Sequence, residues 1–294
     1  MWLVSACLVL SADAASVLPL PADCCVAPLK DSDPPVAHGS SRNAVSTNFL
    51  VESRCPGLDA RLIANRCEQW RTHLQTKWLA EATKANWDPR CTVVIHGRRE
   101  SYSAAIGRRD ERSNGSSWID AKDHSITTRR VDLLLDVTGT LSAFGHELTH
   151  VVLADAFAGS QPPPWASEGM AVLADPAQKQ LLHRRDLDQG LRTQTVFTCA
   201  ELLQLDSYPA PHRVPAFYGQ SNSLVAWLSR RGGTEKFVPF LKCALELGYD
   251  QALQKSYGIG GTAELQRLWI ADHVSDHSRI PMAAQPLASE GRGR

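Results

Sequence analysis

Two histidines flank a glutamate in His146-Glu147-Leu148-Thr149-His150, which spells H-E-x-x-H. On an α-helix, positions i and i+4 share a face, so both imidazoles can converge on one metal ion. Glu147 stands beside the first histidine, where a carboxylate can serve as general base toward a metal-activated water. The surrounding residues, Gly139 to Ala158, predict a helix. Thr140 reads as its N-cap, and Leu141, Phe144, Leu148 and Val151 or Val152 recur at helical spacing. Gly159 and Pro162 to Pro164 mark its end. A surface helix with two satisfied histidines would carry the same motif, so the next question is the third ligand.

A catalytic zinc site usually takes three protein ligands and keeps a fourth position for water. A metzincin would need Gly at 153 and His at 156, where this chain has Leu153 and Ala156, so that subclass is excluded. Seventeen residues separate His150 from Glu168, enough for a helix end, a proline turn and a return. Glu168 lies near the start of a new apolar pattern, Pro164-Trp165-Ala166-Ser167-Glu168-Gly169-Met170-Ala171. HELTH followed by WASEGMA resembles the gluzincin zinc metallopeptidases, and is similar in particular to the peptidase-MA-like proteins. The resemblance implies that Glu168 is the third ligand of one zinc ion, with His146 and His150 the other two. It also implies that Glu147 is the general base of peptide-bond hydrolysis. Residues 218–228, YGQSNSLVAWL, resemble the Tyr-bearing helix of that family, which implies that Tyr218 donates to the tetrahedral oxyanion. A phenol suits that role because it is neutral and donates in a fixed direction. A Tyr packed at a helix start is the alternative, and His212 is a second candidate donor. The chain departs from the pattern at Val172, where thermolysin-like enzymes place an acid behind a histidine ligand. It also has no G-x-M-E-N stretch, which lowers the aminopeptidase option.

The expected activity is therefore that of a zinc metallopeptidase acting on a peptide or protein outside the cytoplasm. Two other classes stay open: a zinc-binding scaffold whose metal only stabilises the fold, and a zinc hydrolase of a non-peptide substrate.

The elements that must position these residues can be read from the periodicities. Asn48 to Glu52 and Cys91 to His96 predict strands, and Leu58 to Ala85 predicts a long amphipathic helix. On that helix Ile63, Cys67, Trp70, Leu74 and Trp78 form one core-facing stripe. Ser101 to Ile106 predicts a short helix, and Arg108 to Ser116 an exposed loop. Ser117 to Ala121 and Ser125 to Arg130 predict a hairpin with Arg129 and Arg130 facing solvent. The hairpin near Trp118 to Ile126 is a candidate for binding an extended substrate by strand addition. After the zinc motifs, Phe237, Phe240, Leu241 and Leu245, then Leu265, Leu268, Trp269 and Ile270, read as helical core stripes.

The predicted class is α+β and zincin-like. A small mixed sheet-and-helix subdomain over residues 46–158 leads into the H-E-x-x-H helix, and a mainly helical subdomain follows over 159–278. Residues 15–45 read as a Pro-rich linker and 279–294 as a disordered tail.

The 294 residues carry 31 Lys plus Arg against 31 Asp plus Glu, so no net charge draws the chain to nucleic acid. There is no apolar run of transmembrane length. Residues 1–14 resemble a secretory signal, with an A-x-A pattern at Ala12 to Ala14, although no basic residue precedes the apolar run. Val4 to Cys7 also resembles a lipoprotein acylation box. Export is the expectation. Disulfides among Cys55, Cys67, Cys91, Cys199 and Cys243 and buried free thiols are equally compatible with the spacing.

Overall fold

The computed structural model describes residues 2–4, 41–79, 85–107, 113–157 and 162–278. Its strands all lie N-terminal to the metal-motif helix, and the chain beyond is helical, so the class is α+β. The strands are β1 (Trp2–Val4), β2 (Asn43–Val45), β3 (Phe49–Ser53), β4 (Cys91–His96), β5 (Gly115–Lys122) and β6 (Ser125–Leu134). They form one mixed sheet in the order β1-β5-β6-β4-β3-β2. The β-branched run of β4 takes the middle of the sheet, parallel to β3 on one side and to β6 on the other. Buried on both faces, it needs the continuous apolar sequence that it has.

β5 and β6 form an antiparallel hairpin. Its two loop residues, Asp123 and His124, have φ of 50° and 61°, the backbone that a two-residue hairpin loop demands. Trp2–Val4 pairs antiparallel along the other edge of β5, with Val4 opposite Ser117.

Three helices belong to this half: α1 (Ala60–Leu79), α2 (Arg99–Ile106) and α3 (Phe144–Ala156). The predicted stripe of α1 is buried at all five positions, and the Trp70 ring meets Phe144 of α3 edge-on at 6.0 Å. The helical half comprises α4 (Pro164–Val172), α5 (Ala177–Thr193), α6 (Cys199–Leu203), α7 (Val214–Gly232), α8 (Phe237–Leu247), α9 (Tyr249–Tyr257) and α10 (Thr262–Ser278). In it α7 packs against both α4 and α5.

Several expectations need correcting. Thr140 does not cap α3: Asp136 accepts hydrogen bonds from the hydroxyls of Thr138 and Thr140 and closes a turn of its own. The helix starts only at Phe144, with no side-chain cap. Arg129 does not face solvent. It is 6% exposed, its guanidinium lies over the Trp87 ring, and it pairs with Asp155. Arg130 pairs with Asp132 at 2.6 Å. Ser113 to Ser116 are buried rather than looped out, because β5 begins at Gly115. Residues 43–45, inside the expected linker, form β2. Leu245 is exposed, whereas Phe237, Phe240 and Leu241 are core.

All five cysteines in question are free thiols, four of them buried. No helix among the described residues is long and apolar enough to cross a membrane. The expected tail at 279–294, most of the linker and residues 5–14 lie outside the described residues, as does Gly159.

Candidate metal centre

The i, i+4 spacing on α3 brings the two imidazoles side by side, with ring centroids 5.0 Å apart. Pro164 opens α4 at a position where its missing N–H costs nothing. That helix carries Glu168 to the same point. Its Oε2 lies 3.4 Å from His146 Nε2, and its Oε1 lies 3.8 Å from His150 Nε2. One donor atom from each of the three residues falls within 4.8 Å of the other two, and all three side chains are buried.

Each imidazole is fixed from behind. His146 Nδ1 lies 3.1 Å from Asp175 Oδ2, and His150 Nδ1 lies 2.9 Å from Ser167 Oγ. An N–H committed at Nδ1 leaves the lone pair of Nε2 directed at the shared point, as a metal ligand requires. His150 Nε2 and Glu168 Oε2 are buried with no hydrogen-bond partner among the described residues. Orphaned buried acceptors are costly unless something absent from the chain satisfies them. The triad therefore fits a metal ion.

No protein-family model matches this sequence, and none of the curated proteins matches it.

Glu147 is one residue removed from the ligand face, and its side chain turns toward β5. Ser117 Oγ donates to its Oε2 at 2.7 Å, while Oε1 has no hydrogen-bond partner among the described residues. Gly115 makes this approach possible. A Cβ there would sit 2.7 Å from Glu147 Cγ and 2.8 Å from Oε1. Gly145 does the same on the other side of α3, where a Cβ would lie 2.7 Å from the Ala174 carbonyl oxygen. That close approach brings the turn carrying Asp175 up to His146.

Burial pushes the Glu147 carboxyl up to about 8, against the pull of His146 and Ser117. Burial draws His150 down to about 4. Glu168 is disfavoured as an anion by burial, yet the two imidazoles and the Tyr208 phenol outweigh that and hold it below the usual carboxylate range. Without a metal the site thus keeps the Glu147 carboxyl protonated at neutral pH, His150 neutral and Glu168 ionised. Against the effect of burial, the Asp175 and Glu168 carboxylates hold His146 well above the ordinary imidazole range.

The structure brings His146, His150 and Glu168 together, with Glu147 next to His146 on α3. Tyr218 is buried in α7 with its ring stacked on His183 of α5, at a centroid distance of 5.4 Å. The phenol of Tyr208 reaches the triad and donates to Glu168 Oε1 from the segment between α6 and α7. Tyr208 is 41% exposed, so it stands where the site meets solvent. His212 lies in the turn just before α7.

Four residues around the ligands escaped the sequence reading: Asp175, Ser167, Ser117 and Tyr208. Asp175 had a usable signal, since it is the one acid between Glu168 and Asp186. It does the work expected of an acid at 172, from the turn after α4 instead of from the helix itself. Ser167 sits inside the Glu168 motif. Ser117 and Tyr208 carry no local signature.

Proposed function

We propose that the protein is a zinc-dependent peptidase of the gluzincin type, with a zincin-like, peptidase-MA-like architecture. The observation that carries the reading is the convergence of His146, His150 and Glu168 beside Glu147, a base whose one oxygen is held by Ser117 while the other is uncommitted. A purely structural metal site has no use for such a carboxylate.

His146, His150 and Glu168 would hold a zinc ion, which would supply a Lewis acid for the scissile carbonyl and an activated water. Glu147, ionised once a metal cation shares the site, would take a proton from the attacking water and return it to the leaving amine. Ser117 fixes the carboxylate by holding its Oε2. The oxyanion donor assigned to Tyr218 by resemblance is better served by Tyr208, whose hydroxyl already lies at Glu168.

An extended substrate could pair along β5 only in place of Trp2–Val4, which occupies that edge as an antiparallel strand with Val4 opposite Ser117, the residue that holds Glu147. Main-chain pairing there would lay a peptide beside the base. The N-terminal leader pattern supports a substrate outside the cytoplasm.

Zinc content and digestion of a peptide library test the proposal together. Purified protein is expected to hold one zinc per chain and to cleave, and Glu147→Gln to keep the zinc and lose at least about a hundredfold in rate. Bound zinc without cleavage of any peptide would favour the scaffold reading. Full activity in zinc-loaded Glu147→Gln would end the proposed mechanism.

A further inference from the structure

Behind His146 the polar chain continues past Asp175. One carboxylate oxygen, Oδ2, faces His146 Nδ1 at 3.1 Å, and the other, Oδ1, accepts from Lys179 Nζ at 3.0 Å. Asp175 is fully enclosed, and the Lys179 side chain is only 12% exposed. A second hydrogen bond, from Gln180 Nε2 to the Asp175 carbonyl at 2.8 Å, ties the same turn to α5. The local sequence explains the placement. Pro176 starts a new helix immediately after the aspartate, so a lysine four residues on stands one turn above it.

Neither charge is stable in that place alone. A buried carboxylate without a partner, or a buried ammonium without one, costs several kcal/mol, whereas a hydrogen-bonded pair largely compensates itself. Burial already draws Lys179 down to about 7. The pair is also geometrically polarised: with Oδ1 engaged by the ammonium, Oδ2 is turned to the imidazole. Partners behind a ligating histidine fix its tautomer and ring direction, and losing them typically costs 10- to 100-fold in metal affinity.

We propose that Lys179 is a positioning residue for the metal centre, acting through Asp175 to orient His146 and so to set how tightly the metal is held. The inference rests on the metal-site reading and is independent of whether the bound metal hydrolyses peptides.

Zinc dissociation constants of the full-length chain, measured by competition with a chromophoric chelator, decide the matter. Lys179→Met is expected to weaken zinc binding about tenfold, and also to lower the melting temperature of its metal-free form, because Asp175 loses a buried partner. Asp175→Asn should weaken it at least as much. If Lys179 works through Asp175, the double variant Asp175→Asn/Lys179→Met binds zinc no more weakly than Asp175→Asn alone. Zinc binding by Lys179→Met as tight as in the unsubstituted chain would overturn the proposal, whatever happens to its melting temperature. Additive losses in the double variant would overturn it too, because Lys179 would then act by another route. If the unsubstituted chain itself bound no zinc, the metal centre would fall and this inference with it, a result distinct from equal binding by both chains.

Discussion

Tyr208 holds an unusual position among the residues around the triad. It is the partner of Glu168 that also reaches solvent, and its hydroxyl engages the carboxylate oxygen on the His150 side. Two roles follow from one contact: steadying a ligand, and donating to charge that develops on a substrate. Tyr208→Phe separates them. If the phenol serves the oxyanion, turnover falls by about 10²- to 10³-fold while zinc affinity and KM stay near their original values. A loss of zinc affinity that matches the loss of turnover would instead assign the hydroxyl to the ligand. Tyr208 also marks how far the sequence could be read at this scale. His146, Glu147 and His150 were legible because helical spacing is a local rule, and Glu168 because its motif resembles a known one. Tyr208 lies 40 residues from Glu168, and Ser117 lies 30 from Glu147, with no periodicity linking either pair. Their roles arise only from the packing of loop and strand against helix.

Between elements, the decisive distance is that from α3 to β5. The sheet edge must come close enough for Ser117 to hold Glu147, and only a residue without a side chain at 115 permits it. Gly115→Ala would place a Cβ 2.6 Å from Ala143 Cβ as well as against Glu147. Such overpacking costs roughly 1–3 kcal/mol of stability. A displacement of Glu147 by about 1 Å is enough to lose on the order of a hundredfold in rate. Gly115→Ala is therefore expected to bind zinc normally, since none of the three ligands touches that position, and to hydrolyse peptide about a hundredfold more slowly. Unchanged kcat in a folded, zinc-loaded Gly115→Ala would show that the close approach does not position the base. Pattern reading found the elements well here and their relations poorly. β4, the hairpin and the stripe of α1 follow from alternation and helical period. The same reading took 113–116 into an exposed loop, because Gly and Ser read as loop residues when the helix they must accommodate is out of view. Arg129 was misjudged for a related reason. A guanidinium can be buried when Trp87 and Asp155 receive it, and both come from distant parts of the chain.

For the molecule as a whole, the triad is a seam. His146 and His150 belong to a helix packed on the sheet, whereas Glu168 belongs to one packed on α7 in the helical half. A metal bound there couples the two halves, and ligand binding to the folded state alone stabilises it by about 2.7 kcal/mol at a free concentration of 100 Kd. Stripping the metal with a chelator is thus expected to lower the melting temperature by several degrees at neutral pH. The metal-free protein should then respond to acid through His150 in a definite window. Burial holds folded His150 at about 4, against an ordinary value of 6.5. Between those values the unfolded chain binds the proton that the folded chain refuses, so the His150 contribution to stability falls as pH drops from 6.5 toward 4. Glu147, held at about 8, works in the opposite direction as pH drops from 8 toward 4.5. Glu168 adds loss in the same direction as His150, because its folded carboxyl is held below its ordinary value and its stabilisation disappears as acid protonates it. His150→Gln removes the first contribution. Urea unfolding of chelator-treated protein at pH 6.5 and 4.5 should show a change in stability that is less unfavourable in His150→Gln than in the unsubstituted chain. Equal changes in the two chains would mean that His150 is not held neutral in the metal-free fold. Zinc-loaded protein should stay stable further into acid, until protons compete for the same Nε2 atoms and the metal is released.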